Sequence, residues 1–193
     1  MTKTSSVLNG MILAGIIFGA NLNAIAVELA PTEGQIDQAV QGGQAAVGKP
    51  LQVRNLFGTM GDCGWGFLQT KLWNIWAGSY EAARKLKPYT AAQIQGDIQN
   101  ATLLITYSLC SEQSDEREAH VVLKQGEKVI QPTKVSTGHP ETTSKWPNSP
   151  AYNVSVTAHF GYGSFDPSAM TTIIVVPRIG DRLQYDVNLA DML

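Results

Sequence analysis

Charge is scarce in this chain. Only 16% of its 193 residues are Asp, Glu, Lys or Arg, and the two signs nearly cancel, leaving a formal net charge of −2. A protein that grips nucleic acid shows a basic patch or stripe, and one held on an anionic membrane shows a polybasic block. Neither is present, so no nucleic-acid partner is expected. Histidine is scarcer still: there are three, His120, His139 and His159. No two of them have the H-x-x-x-H spacing that gathers a metal on one helix face. The acidic cluster at residues 115–118 lacks the alternating oxygen ligands and turn glycine of a calcium loop, and reads as a solvated turn.

Motifs for cofactors and nucleophiles are missing too. There is no G-x-G-x-x-G, no Walker sequence and no G-x-S-x-G elbow. The glycine-rich run GYGSF (residues 161–165) lies between strand-like segments and opens no helix, so it is no phosphate cradle. No catalytic residue, metal ligand or cofactor is assigned. Catalytic groups can still converge from distant positions, and an enzyme remains the alternative reading, with Cys63 or His159 as its reactive group.

Long apolar runs are limited to one. Residues 11–20, MILAGIIFGA, follow a start whose only charge is Lys3, and precede NLNAIA, which places Ala24 and Ala26 as in a small-x-small cleavage site. Positive, apolar and small, in that order, is the secretory pattern. A spanning helix needs about 20 apolar residues, and Asn21 and Asn23 interrupt the run well short of that. The expectation is a signal peptide at residues 1–26, cleaved after Ala26, and a secreted or periplasmic mature domain at residues 27–193 with no integral membrane segment.

Cysteine is limited to Cys63 and Cys110. An exported chain meets an oxidising space where disulfides persist, and two cysteines allow one pairing. Closing a loop of about 48 residues stabilises by about 4 kcal/mol in the chain-entropy model. The sequence CGWG has Gly66 where a redox pair needs its second thiol, so Cys63 is read as half of a staple.

Helical signals fill residues 27–100. Thr32 with Gln35, and Thr90 with Gln93, have capping-box spacing. Gly42 and Gly43 are expected to weaken or end the first helix. The strongest pattern spans residues 66–87, where Leu68, Leu72, Ile75, Ala83 and Leu86 recur at spacings of three and four, with Trp76 on that stripe and Trp73 and Tyr80 beside it. Pro88 ends it.

From residue 101 the period becomes two. Residues 119–136 read as a hairpin around Gly126, residues 138–150 as a long loop, and residues 151–162 as the clearest strand, with Asn153, Ser155, Thr157 and His159 on its polar face. MTTIIVV (residues 170–176) is apolar on both sides, as in a central strand. The fold class is therefore α+β: about three N-terminal helices, then a small antiparallel β-sandwich over residues 101–193, with immunoglobulin-like as the architectural label.

Four residues are singled out for binding. Trp73 and Trp76 either pack the long helix against the sandwich or face a partner, since aromatic anchors dominate interfaces. Trp146, in the long loop, either folds back as a plug or reaches for a ligand. His159 is the histidine to test beside a carboxylate. Asn100 and Asn153 match the glycosylation sequon. The reading is an exported, non-catalytic protein that binds a protein partner or assembles with itself. The alternatives are a hydrolase or thiol enzyme, and a subunit of an extracellular polymer.

Overall fold

The computed structural model describes residues 29–50 and 55–192. The expected signal peptide and its cleavage point at Ala26 lie outside the described residues.

Helix α1 (Glu33–Ala45) opens on Thr32 with the predicted capping box. The Thr32 N–H donates to Gln35 Oε1 at 2.8 Å, and the Gln35 N–H donates back to Thr32 Oγ1 at 3.3 Å. The Gly42–Gly43 pair does not end the helix. Gly43 is where α1 meets the next helix: a Cβ there would lie 2.3 Å from the Trp76 carbonyl oxygen. Glycine's cost in a helix is accepted because two backbones approach at that point.

Strands β1 (Leu56–Gly58) and β2 (Trp65–Gln69) come next, and they correct the expectation that everything before residue 100 is helical. Residues 65–69 pair with β1 on one side and with β3 (Thr102–Ser111) on the other. Helix α2 (Lys71–Arg84) therefore starts later than its periodicity predicts, with Thr70 as N-cap accepting from the Trp73 N–H at 3.0 Å. Leu68, counted on the helical stripe, belongs to the sheet core, while Leu72 and Ile75 belong to a separate helical one. Leu86 leaves the stripe at the other end. The Lys87 N–H donates to the Ala82 carbonyl at 2.9 Å and the Leu86 N–H to the Ala83 carbonyl at 3.0 Å, a Schellman closure. That holds Leu86 in the left-handed region with its side chain 95% exposed. Helix α3 (Ala91–Gln99) follows, with the second predicted capping box on Thr90.

The rest of the chain is strand. β4 (His120–Gln125) and β5 (Lys128–Ile130) form the predicted hairpin around Gly126. β6 (Lys134–Thr137), the short β7 (Glu141–Thr142), β8 (Tyr152–Gly161), β9 (Met170–Val176) and β10 (Leu183–Asn188) complete two antiparallel sheets. The six-stranded sheet runs β1-β2-β3-β8-β6, with β7 also on β8; the four-stranded sheet runs β10-β9-β4-β5. The alternation read in residues 152–162 holds, with Val154, Val156, Ala158 and Phe160 buried.

One hydrophobic core draws on both sheets: Leu68, Ile105, Tyr107 and Phe160 from the larger, Val121, Leu123, Ile173 and Val175 from the smaller. Each fully buried aliphatic or aromatic side chain of this size contributes about 1.5–3 kcal/mol. A second, smaller core sits among the helices, around Ala39, Leu72 and Ile75. Tyr162 joins the two parts: its hydroxyl accepts from the Lys71 N–H at 3.2 Å, and Lys71 Nζ lies 5.0 Å from its ring centroid. The class is α+β, with three helices and antiparallel sheets. Among the described residues, no helix is long and apolar enough to cross a membrane.

Candidate functional site

The two cysteines are bonded, with 5.2 Å between their Cα atoms. Cys63 sits in the turn between β1 and β2 rather than in a helical half, so the bridge ties that turn to the end of β3. Gly64 makes the turn possible: its φ of 90° is left-handed, and its N–H donates to the Ser108 carbonyl at 2.7 Å. Among the described residues there is no free cysteine, so Cys63 presents no thiolate in this state.

Beside the disulfide, the outer face of the six-stranded sheet carries polar side chains. Register sets Trp65 beside Ser108, Ser108 beside Ser155, and Asn153 beside Glu141. The Ser108 hydroxyl donates to Asn153 Oδ1 at 2.8 Å, and Asn153 Nδ2 donates to the Asp62 carbonyl at 2.9 Å. Trp65 Nε1 donates to the Gly61 carbonyl at 3.0 Å, which fixes the indole.

The loop at residues 138–150 closes over this end. Gly138 packs on β8, its N–H donating to the Ser155 carbonyl at 2.7 Å. Farther along, the Asp62 carboxylate accepts from the Ser144 N–H at 2.8 Å and also from the Ser144 hydroxyl. These two bonds, the hydroxyl's first, hold the Asp62 carboxyl below the usual range, and Lys145 adds to the effect.

Two clefts at this end share His139 in their lining. The smaller, about 180 Å³, is lined by Trp65, Thr106, Ser108, His139, Glu141, Asn153 and Ser155. The larger, about 510 Å³, is lined by Asp115, Glu116, Arg117 and the start of the loop. In the larger cleft the charges are already matched. Arg117 donates twice to Asp115, each at 2.9 Å, and holds that carboxyl well below the usual range. Glu116, only 4% exposed, accepts from the Ser111 hydroxyl at 2.7 Å and the Arg178 N–H at 2.9 Å. In the smaller cleft, by contrast, the Glu141 carboxylate and the Ser155 hydroxyl have no hydrogen-bond partner among the described residues.

The residues singled out from the sequence are spread over the molecule. Trp146 is 55% exposed on the pinned loop, outside the lining of either cleft. Trp73 and Trp76 belong to an aromatic stack running Phe67–Trp73–Trp76–Tyr80, with ring centroids 4.9, 4.9 and 5.7 Å apart. The Trp73, Trp76 and Tyr80 rings lie face to face, and the stack bridges β2 and α2. His159 sits between Leu104 and Lys134 in register, four residues along β8 from Ser155 and so about 13 Å from that residue, and it lines neither cleft. Of the residues singled out, Cys63 and Cys110 are brought together, as are Trp73 and Trp76; Trp146 and His159 join neither pair. Trp65, Glu141, Asn153 and Ser155 were not singled out as one site. Their one legible signal was the polar alternation of β8, which carries Asn153 and Ser155.

Among the described residues, no group of three or more His, Cys, Asp or Glu side chains is placed to hold a metal ion. No protein-family model, no curated protein and no solved structure matches the chain.

Proposed function

We propose that this chain is an exported, non-catalytic binding protein on an immunoglobulin-like sandwich, taking an uncharged, hydroxyl-rich ligand of the glycan class in the smaller cleft. The carrying observation is a fixed frame around uncommitted polar groups. The disulfide, the Asp62–Ser144 bonds and the Trp65–Gly61 bond hold the cleft's edges, while Glu141 and Ser155 keep their hydrogen-bonding capacity. A preorganised site loses little entropy on binding.

The lining selects the ligand class. It contains no Lys or Arg, so it lacks the cations an anionic ligand requires. It offers the Ser155 hydroxyl, an imidazole and the Glu141 carboxylate to a ligand's hydroxyl groups, and the Trp65 indole to its C–H surface, while the Thr106 and Ser108 hydroxyls and the Asn153 carboxamide already bond within the sheet and turn.

The strand orders support the sandwich. With β2 as strand A, the order β2-β3-β8-β6 reads A-B-E-D and β10-β9-β4-β5 reads G-F-C-C′. The N-terminal secretory pattern and the disulfide support export.

An array of neutral and anionic oligosaccharides, followed by NMR titration with the ligands that bind, tests the reading. The expected result is binding with shifts confined to the Trp65 indole and the Asn153 and Ser155 amides, weakened by Glu141→Ala. Shifts elsewhere, or retention of anionic glycans alone, would overturn the site or the ligand class. Intact mass of the protein exported by a host cell checks cleavage after Ala26.

A further inference from the structure

Strand β9 is apolar on both sides and covered on one. Ile173 and Val175 lie in the core; Ile174 and Val176 face outward and are half-buried. A sheet with one face toward water ordinarily turns polar residues outward, and the larger sheet does so with Thr106, Ser108, Ser155 and Thr157. Strands β9 and β4 depart from that rule at Ile174, Val176 and Val122, while the outward positions of β10, Gln184, Asp186 and Asn188, are polar. Val122, itself buried at 7% exposure, lies beside Ile174 in register, and Val129 and Met170 stand 52% and 62% exposed at the rim. Among the described residues, the elements packed extensively on β9 are its sheet neighbours β4 and β10, and neither covers this face.

The charges on this face have a matching order. Lys124, Thr172 and Asp186 stand abreast on β4, β9 and β10. The Thr172 hydroxyl donates to Asp186 Oδ1 at 2.7 Å, and among the described residues neither Lys124 nor Asp186 belongs to an ion pair. One sign therefore stands on each side of the apolar strand.

We propose that this face pairs with the same face of a second copy, about a two-fold axis running along β9. Such an axis exchanges the two flanks of the strand. It sets Lys124 of one copy opposite Asp186 of the other, twice, and sets Ile174 against its own counterpart. Strands lie about 4.8 Å apart and packed sheets about 10 Å apart, a gap that extended lysine and aspartate side chains span together. An axis across the strands would instead set Lys124 against Lys124. An interface in which the same patch meets itself closes at two copies, so it gives a dimer and no fibre. The smaller cleft lies on the outer face of the other sheet, so a dimer presents one from each copy, and two linked sites raise avidity for a repetitive ligand. The pairing does not depend on what the clefts bind.

Sedimentation equilibrium of the purified protein at low salt tests it. The expected mass is that of two copies. Lys124→Glu alone and Asp186→Lys alone each weaken association at least about ten-fold, and the double exchange K124E/D186K restores it to within about three-fold. Asp186→Lys also removes the Thr172 bond, so restoration by the second exchange is a result that a purely local role cannot produce. Circular dichroism verifies that each variant is folded. A single-copy mass at every concentration overturns the proposal and leaves the face to a different protein or another segment of this chain. A dimer that neither single exchange weakens, or that the double exchange does not restore, overturns the register.

Discussion

The Asp62 carboxylate accepts two hydrogen bonds from Ser144, one from its backbone N–H at 2.8 Å and one from its hydroxyl, across 82 residues of chain. Asp62 belongs to the disulfide turn and Ser144 to the long loop, so this contact joins the two edges of the candidate site.

It makes the loop sensitive to acid. Asp62 has its folded pKa lowered, chiefly by the Ser144 hydroxyl. A carboxyl of this kind contributes stability that is fully present above its unfolded value, about 3.9, and is lost as pH falls through the lower folded value. Amide exchange at Ser144 is expected to speed up in that acid window. Asp62→Ala is expected to show the fast exchange already at neutral pH, with the core strands unaffected.

Removing the bridge should cost more. Cys63→Ser with Cys110→Ser is expected to lower stability by about 2–5 kcal/mol, read by denaturant unfolding. The separation of 47 residues between the cysteines sets the size of the loop released. The shifts of Trp65 and Asn153 are expected to change most, because their partners Gly61 and Asp62 lie in the turn that is freed.

Gly43→Ala sets two effects against each other. Alanine gains about 1 kcal/mol of helix propensity. Its Cβ would meet the Trp76 carbonyl at 2.3 Å and the Tyr80 nitrogen at 2.9 Å, both backbone atoms. Overpacking against backbone costs about 1–3 kcal/mol. The steric cost wins, and thermal unfolding should show a destabilised protein.

Leu86→Gly should act in the opposite direction. Leu86 holds a φ of 54° and is 95% exposed, so glycine forfeits no packing there. Relief of the left-handed conformation is worth about 1 kcal/mol, and it exceeds the extra chain entropy of one glycine at a helix terminus. A modest rise in the unfolding midpoint checks it.

How much could be read beforehand followed from the range of each signal. Thr32 and Thr90 bond to residues three positions on, so their helix starts were legible. Gly126 and the alternation of residues 152–162 were legible for the same reason. Residues 65–69 were misread because Leu68, Leu72 and Ile75 have helical spacing, and only pairing with β1 and β3 makes that segment a strand. The candidate site was legible only in fragments. Asn153 and Ser155 show as the polar side of a strand, but nothing in the sequence near them indicates Trp65 or Glu141.

The sequence by itself determined the scarcity of charge, the single possible disulfide pairing, the helix caps and the faces of the best strands, because composition and near-neighbour spacing are local properties. Tertiary structure decided that residues 65–69 join a sheet, that the Asp62 turn meets the Ser144 loop, and that one face of β9 stays uncovered. Each of those depends on which distant backbone or side chain arrives alongside, and hydrogen-bond pairing and burial between segments far apart in the chain leave no periodic trace in either segment alone.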